Sequence, residues 1–354
     1  MPRQITLVAE RGLPFTLAGQ VADEVREAVS AATGEPVRLE CTGGALTLDD
    51  DGEIHLSHSI AATADKSDLV LFFTELPRLE HGRPAPAEID TERSAGIISI
   101  PACGTVALPQ RVAHLSIACL VGLLAGDTDD AAFRSAESRR RRWHIDDERQ
   151  GKRTLVAASR WGWALLVMGM MRVNRPWRLV STLKGVIAAA AATASFGIFY
   201  TSIWQMATTI HPWRLVLITA FAVTLMATWL IVANRLWESG GGRAVWNRLY
   251  NTVTVCTVLT GVATMYVGLY LLTFVAGLVV IDTGFMTEKI GRPAALSSFL
   301  LLAWLATSMG IVAGALGSST DSYDAILRAT FGERERERRK RQSEQEDPQD
   351  ERGR

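Results

Sequence analysis

Between Gly185 and Gly317 the chain carries four long apolar runs, Gly185–Gln205, Leu215–Ala233, Thr252–Ile281 and Ala294–Gly317, and none contains Asp, Glu, Lys, Arg or His. A helix crosses the hydrocarbon core of a bilayer with about 20 apolar residues, so each run is long enough to span. The chain is neutral overall and 48% hydrophobic, but those averages hide a segregation. Charges crowd into the first half and the tail, while the four runs have none. A soluble domain mixes the two kinds every few residues; separation on this scale marks a membrane protein with soluble ends. The expected fold is an α/β (or α+β) cytosolic N-terminal domain followed by an all-α four-helix transmembrane bundle.

The expected layout is a cytosolic domain at 1–130, a basic juxtamembrane linker at 131–153 and an amphipathic interfacial helix at 154–183. A four-span membrane domain at 184–317 and a charged, partly disordered cytosolic tail at 318–354 complete it. The third run, at 1.5 Å per residue, amounts to roughly 45 Å and exceeds the core, so a tilt, a bend near Gly268 or Gly277, or an interfacial extension is expected. The stretch Leu155–Met171 is interrupted by Arg160. It reads as a helix lying on the surface, with Trp161, Trp163 and Met168 dipping in; a fifth span is the alternative.

Orientation follows from Lys and Arg near the span ends. One set of flanks holds Arg172, Arg175, Arg178, Lys184, Arg235, Arg243, Arg248, Arg328 and the basic run 338–341; the other holds only Arg214, Lys289 and Arg292. The richer set faces the cytosol, which places both termini there in the cell membrane. The N-terminus has no apolar core or cleavage site of a signal peptide, an independent argument for the same side.

The pentapeptide Pro-Trp-Arg-Leu-Val occurs at 176–180 and again at 212–216, each time just ahead of an apolar run. Proline costs nothing at a helix start, tryptophan favours the headgroup level, and arginine reaches the phosphates. Pro176, Trp177, Arg178, Pro212, Trp213 and Arg214 are therefore expected interface anchors. Arg235, Trp237, Arg248 and Tyr250, from "NRLWE" and "NRLYN", share that chemistry. Arg139, Arg140, Arg141 and Arg142 are expected to meet anionic lipid headgroups. They lack the aromatic interleaving of a nucleic-acid site, and no nucleic acid is expected as a partner. Small residues recur every four at Ala306, Gly310, Gly314 and Ser318, and at Gly185, Ala189, Thr193 and Gly197, so these two helices are expected to pack closely in the bundle or across a homo-oligomer.

In the first part, "QITLVAE", "EPVRLECT", "SDLVLFFTEL" and "AGIISIPA" read as strands. "LAGQVADEVREAVSAATG", closed by Gly34, and "LPQRVAHLSIACLVGLLAGD" read as helices. "CTGGAL" reads as a turn. The succession "DLVLFFTELPR…IISIPACG…RVAHLSIACLVGLLAG" faintly resembles the archaemetzincin branch of the zincin metalloproteases. That resemblance implies a helix carrying H-E-x-x-H-x-x-G-x-x-H, in which paired histidines hold zinc and the glutamate activates water. His114 matches the first histidine, but Leu115 stands at the glutamate and Ala118 at the second histidine. The resemblance therefore implies a degenerate zincin with His114 as a remnant and no zinc. Across most of its length, including "NRPWRL", "PWRL", "WLIVA" and "AWLATSMGIVAGALGS", the chain resembles a family of actinobacterial multi-pass membrane proteins.

No catalytic, cofactor-binding or metal-binding residue set emerges, and no cofactor is expected. Cys41, Cys103, Cys119 and Cys256 form no short-range pair and suit a reducing compartment. The expected function is non-enzymatic: partner binding, sensing or scaffolding by the front domain, with a cytosolic protein partner at that domain or the tail. The alternatives are a divergent hydrolase or cofactor-binding enzyme, or a small-solute or lipid transporter lined by Thr257, Thr260 and Thr264.

Overall fold

The computed structural model describes residues 3–44, 68–125, 141–145, 151–158, 160–239 and 244–317. They form two compact units, one within Met1–Val173 and one that begins at Asn174.

The first unit is built on a seven-stranded sheet in the order β2-β1-β3-β7-β6-β9-β8. Its strands are β1 (Arg3–Ala9), β2 (Val37–Gly43), β3 (Leu69–Thr74), β6 (Ala87–Asp90), β7 (Ala95–Ser99), β8 (Arg141–Ile145) and β9 (Lys152–Ala157), while β4 (Leu79–Glu80) and β5 (Arg83–Pro84) form a small separate pair. β2, β1, β3 and β7 run parallel; β6, β9 and β8 continue antiparallel from β7. Parallel strands covered on both faces read as unbroken apolar runs, and "LVLFFT" of β3 is buried at every position.

Helices α1 (Leu13–Thr33) and α2 (Leu108–Ala125) share one core with Ile5, Leu7, Leu71, Phe73 and Ile98. Gly34 ends α1 at φ 69°, the left-handed conformation that glycine adopts without steric cost. The alternate residues Val8, Val70, Phe72 and Ile97 form a smaller buried cluster on the opposite face.

Three expectations are corrected here. Residues 152–157 are neither linker nor helix but strand β9, with Leu155 opposite Ala87 and Arg153 opposite Ile89. The antiparallel edge presented by β6 satisfies its backbone, and the β-branched Thr154 and Val156 suit a strand. Arg141 and Arg142 lie in β8, opposite Ala157 and Val156, so half of the arginine run belongs to a sheet; Arg139 and Arg140 lie outside the described residues. Cys41–Gly43 continues β2 alongside Leu7–Ala9 instead of turning.

The supposed interfacial segment contains helix α3 (Arg160–Asn174), whose Leu166 and Met170 are buried. A Cβ on Gly169 would lie 2.0 Å from the Pro101 carbonyl oxygen, and Arg172 donates to the Thr105 carbonyl at 2.9 Å. The helix therefore packs on the α/β unit, while Trp161 and Met168 remain exposed.

The second unit is helical: α4 (Arg178–Thr182), α5 (Lys184–Phe199), α6 (Thr201–Thr209), α7 (Pro212–Ala233), α8 (Ala244–Val280), α9 (Thr283–Ile290) and α10 (Leu296–Gly317). Three of these, α7, α8 and α10, are long and apolar enough to cross a membrane. The first apolar run is not one helix: α5 and α6 meet at Tyr200 with a bend of 88°. The third run becomes a single helix of 37 residues, roughly 55 Å at 1.5 Å per residue. It starts eight residues before the apolar stretch, and Trp246 and Tyr250 stack in its first turns with ring centroids 5.9 Å apart.

α5 and α10 approach closely. A Cβ on Gly310 would sit 2.5 Å from the Ala190 carbonyl oxygen, and one on Gly197 would sit 2.3 Å from Ala306 Cβ. Gly314 faces Val186. On α5 the contact surface is Val186, Ala190, Ala194 and Gly197; the first three lie one residue beyond Gly185, Ala189 and Thr193, and only Gly197 of the expected ladder is in the contact. Ser318 lies outside the described residues, as does the tail.

Candidate functional site

The polar groups that could do chemistry gather in three places. The first is the carboxyl end of the parallel strands. From β1 the chain goes through α1 to β2 on one side, while β3 lies on the other. Ligands of open α/β sheets bind at such a switch point. Here Glu10, which follows β1 and is 2% exposed, accepts from Thr74 Oγ1 at 3.0 Å and from the Glu75 N–H at 2.9 Å. Glu75 Oε1 in turn accepts from the Leu13 N–H at 3.3 Å in the first turn of α1. Gly12, at φ 105°, passes close enough that a Cβ would come within 3.3 Å of Glu75 Oε1. A helix N-terminus at this position commonly holds phosphate; in this chain a carboxylate occupies it, so the crevice disfavours anions. Among the described residues no group of three or more His, Cys, Asp or Glu is placed to hold a metal ion.

The second place is the face of the sheet opposite α1 and α2. Glu88 (β6), Ile97 (β7) and Thr154 (β9) stand side by side in register, as do Asp90, Ala95 and Lys152. The Glu88 carboxylate is buried, 2.5 Å from Arg78 Nη2 and 3.8 Å from Lys152 Nζ. Asp90 pairs with Arg93 at 2.5 Å. Taking carboxylates out of water costs several kcal/mol unless such partners are supplied.

The third place lies inside the helical unit. Trp304 Nε1 donates to Thr219 Oγ1 at 2.7 Å, and Thr219, Tyr266 and Ser308 hydroxyls lie 2.8 to 3.2 Å from one another. These residues come from α7, α8 and α10 and tie the three long helices together with neutral groups. Elsewhere in this unit, Asn251 Nδ2 donates to the Glu238 carbonyl at 2.9 Å and its Oδ1 accepts from the Glu238 N–H at 2.8 Å.

The residues singled out from sequence fall as follows. His114 lies on α2 and is exposed. Pro212 opens α7, and the Arg214 guanidinium lies 5.6 Å from the Trp213 ring centroid. Pro176 is buried, Trp177, Trp213 and Trp237 are exposed, and Arg178 opens α4. Arg248 is exposed, whereas Tyr250 is only 4% exposed and stacks on Trp246. Thr260 and Thr264 are exposed and donate to the carbonyls of Cys256 and Thr260 on their own helix at 2.8 Å. Thr257, by contrast, is buried and accepts from Asn174 Nδ2 at 3.4 Å. The three threonines do not form one lining.

Sequence reading missed the Glu88 and Thr219 clusters, because each joins residues from elements far apart in the chain. Comparison with protein-family models, with curated proteins and with solved structures returned no match.

Proposed function

We propose that the chain is a multi-pass integral membrane protein whose N-terminal α/β unit is a non-catalytic binding or sensing module on the cytosolic side. In this reading α7, α8 and α10 are spans, the broken pair α5–α6 completes a fourth, and both termini face the cytosol. One observation carries it: the buried charged residues among those described, Glu10, Glu88, Asp90 and Arg153, all belong to the α/β unit. Ionisable groups at membrane depth are kept for transport or proton relay; the apolar helices bury only neutral polar residues, and apart from the Thr254 and Thr307 hydroxyls these are bonded to one another or to backbone. The recognition chemistry therefore sits in the α/β unit, and the helices hold it at a membrane.

Transport is the second reading, favoured by the 88° break, since discontinuous helices often mark substrate sites. Two assays on the full-length protein separate them. Protease added to sealed inside-out vesicles should remove the α/β unit, and protease outside right-side-out vesicles should spare it; the reverse pattern sinks the cytosolic-module reading. A solute or lipid flux in proteoliposomes that disappears in Tyr266→Phe would replace binding by transport.

A further inference from the structure

The polar half of the sheet's second face holds two side-chain atoms whose hydrogen bonds are unmade. Arg78 Nη1 and Thr154 Oγ1 are both buried, and neither meets a hydrogen-bond partner. They flank one group. Arg78 Nη2 is 2.5 Å from Glu88 Oε2, and Thr154 is the residue directly across from Glu88 in the β6–β9 ladder. Directly opposed residues of an antiparallel pair have Cβ atoms about 5 Å apart, so the two orphans lie around the same carboxylate. Leaving a buried donor unpaired is costly, the more so when it is charged.

The geometry points to a binding site for the carboxylate of a small organic acid, held by Arg78 Nη1 and Thr154 Oγ1 beside Glu88. A guanidinium is a planar fork that can bridge two carboxylates. Glu88 takes one edge of Arg78 through Nη2, and Nη1 offers the second. The Thr154 hydroxyl supplies a donor for the other ligand oxygen.

The sign and size of the ligand follow from the neighbours. A cation would meet Arg78 and Lys152 first. A phosphate dianion would stand against the buried Glu88 carboxylate at about twice the repulsion of a monoanion. A single carboxylate suits the site best. The way in is past the rim, where the side chains of Arg78 and Lys152 keep 18% and 19% of their exposure. Arg78 stands in the segment between β3 and β4 rather than in a strand.

The proposal rests on reading the α/β unit as a binding module. Its test uses the full-length protein in detergent, titrated calorimetrically and by thermal unfolding with sodium acetate, pyruvate and succinate, against chloride and inorganic phosphate at matched ionic strength. At least one of the organic acids should bind and raise Tm where chloride and phosphate do not. Arg78→Lys keeps the pairing with Glu88 but loses the second donor edge, and should weaken binding about tenfold or more. Thr154→Val is isosteric, should fold at least as stably as the parent, and should weaken binding as well. Equal effects of all the salts, no binding by any of the three acids, or unchanged affinity in both variants overturns the site. The vesicle proteolysis described above is blind to this result, so failure here leaves the membrane-tethered module standing without this ligand.

Discussion

The indole N–H of Trp204 lies 3.0 Å from the Gly197 carbonyl and 3.2 Å from that of Ile198, bridging the bend between α5 and α6. A helix that ends inside an apolar environment leaves carbonyls without partners. Trp204, itself 3% exposed, answers for two of them. Trp204→Phe keeps most of the buried area and removes only the donor. It should lower stability by about 1–3 kcal/mol, seen as a lower melting temperature in detergent. An unchanged melting temperature would mean that the break is held by packing alone.

Two glycines in the helical unit make opposite demands. A Cβ at Gly310 would press on the Ala190 carbonyl at 2.5 Å, while at Gly268 nothing lies within 4 Å. Gly310→Ala should therefore force α5 and α10 apart and destabilise by about 1–3 kcal/mol. Gly268→Ala, on an exposed face of α8, should be neutral or stabilise slightly through helix propensity. Thermal unfolding of the two variants side by side checks the contrast, and equal effects would refute this account of the α5–α10 contact.

The long helices were legible because apolar length is a one-dimensional signal: Leu215–Ala233 falls inside α7, and the start at Pro212 follows from proline chemistry. The break at Tyr200 was not legible. No charge or proline marks it, and the residue that stabilises it, Trp204, looks like any other apolar residue of the run. In the α/β unit, β1, β3 and β7 announce themselves by buried apolar patterns, whereas β9 depends on β6, more than 60 positions earlier. Its residues "KRTLVA" alone fit the start of an amphipathic helix equally well. Glu88 and Thr154 have the same history: ordinary letters in sequence, made neighbours by the ladder.

Burial pushes the Cys119 thiol well above the ordinary thiol range, with Cys103 beside it adding in the same direction. A raised pKa for a group that ionises to an anion means that the folded state keeps the proton. Below about pH 8.5 the thiol is neutral in both states and its contribution is intact. As pH rises past that value the unfolded chain loses the proton while the folded chain does not, and stability falls by up to about 1.4 kcal/mol per pH unit for one group. Cys41, shifted the same way by partial burial and then by Asp23, adds to the slope. Melting temperature should decline between pH 8.5 and 10, and Cys119→Ala should flatten part of the decline. Iodoacetamide at pH 8.5 should leave Cys119 unmodified until the protein is unfolded; rapid labelling of the folded protein would contradict the burial.

The end of α7 carries a strained arginine. The Leu236 N–H donates to the Ile231 carbonyl at 3.0 Å and the Arg235 N–H to the Val232 carbonyl at 3.2 Å, the paired bonds of a Schellman ending. Leu236, fully buried, supplies the apolar contact that accompanies it. The residue at the left-handed position is normally glycine, yet here it is Arg235 at φ 47°. An L-residue pays about 1 kcal/mol or more for that conformation, so Arg235→Gly should stabilise the detergent-solubilised protein by roughly that amount. The arginine would then serve through its charge beside the apolar helix rather than through the turn. In membranes, Arg235→Gly should weaken the orientation bias set by the Lys and Arg of that flank. The check is cysteine accessibility on both sides of vesicles, measured alongside the melting temperature. A variant that is less stable in detergent removes the strain argument; one that is more stable and keeps its orientation removes the charge argument.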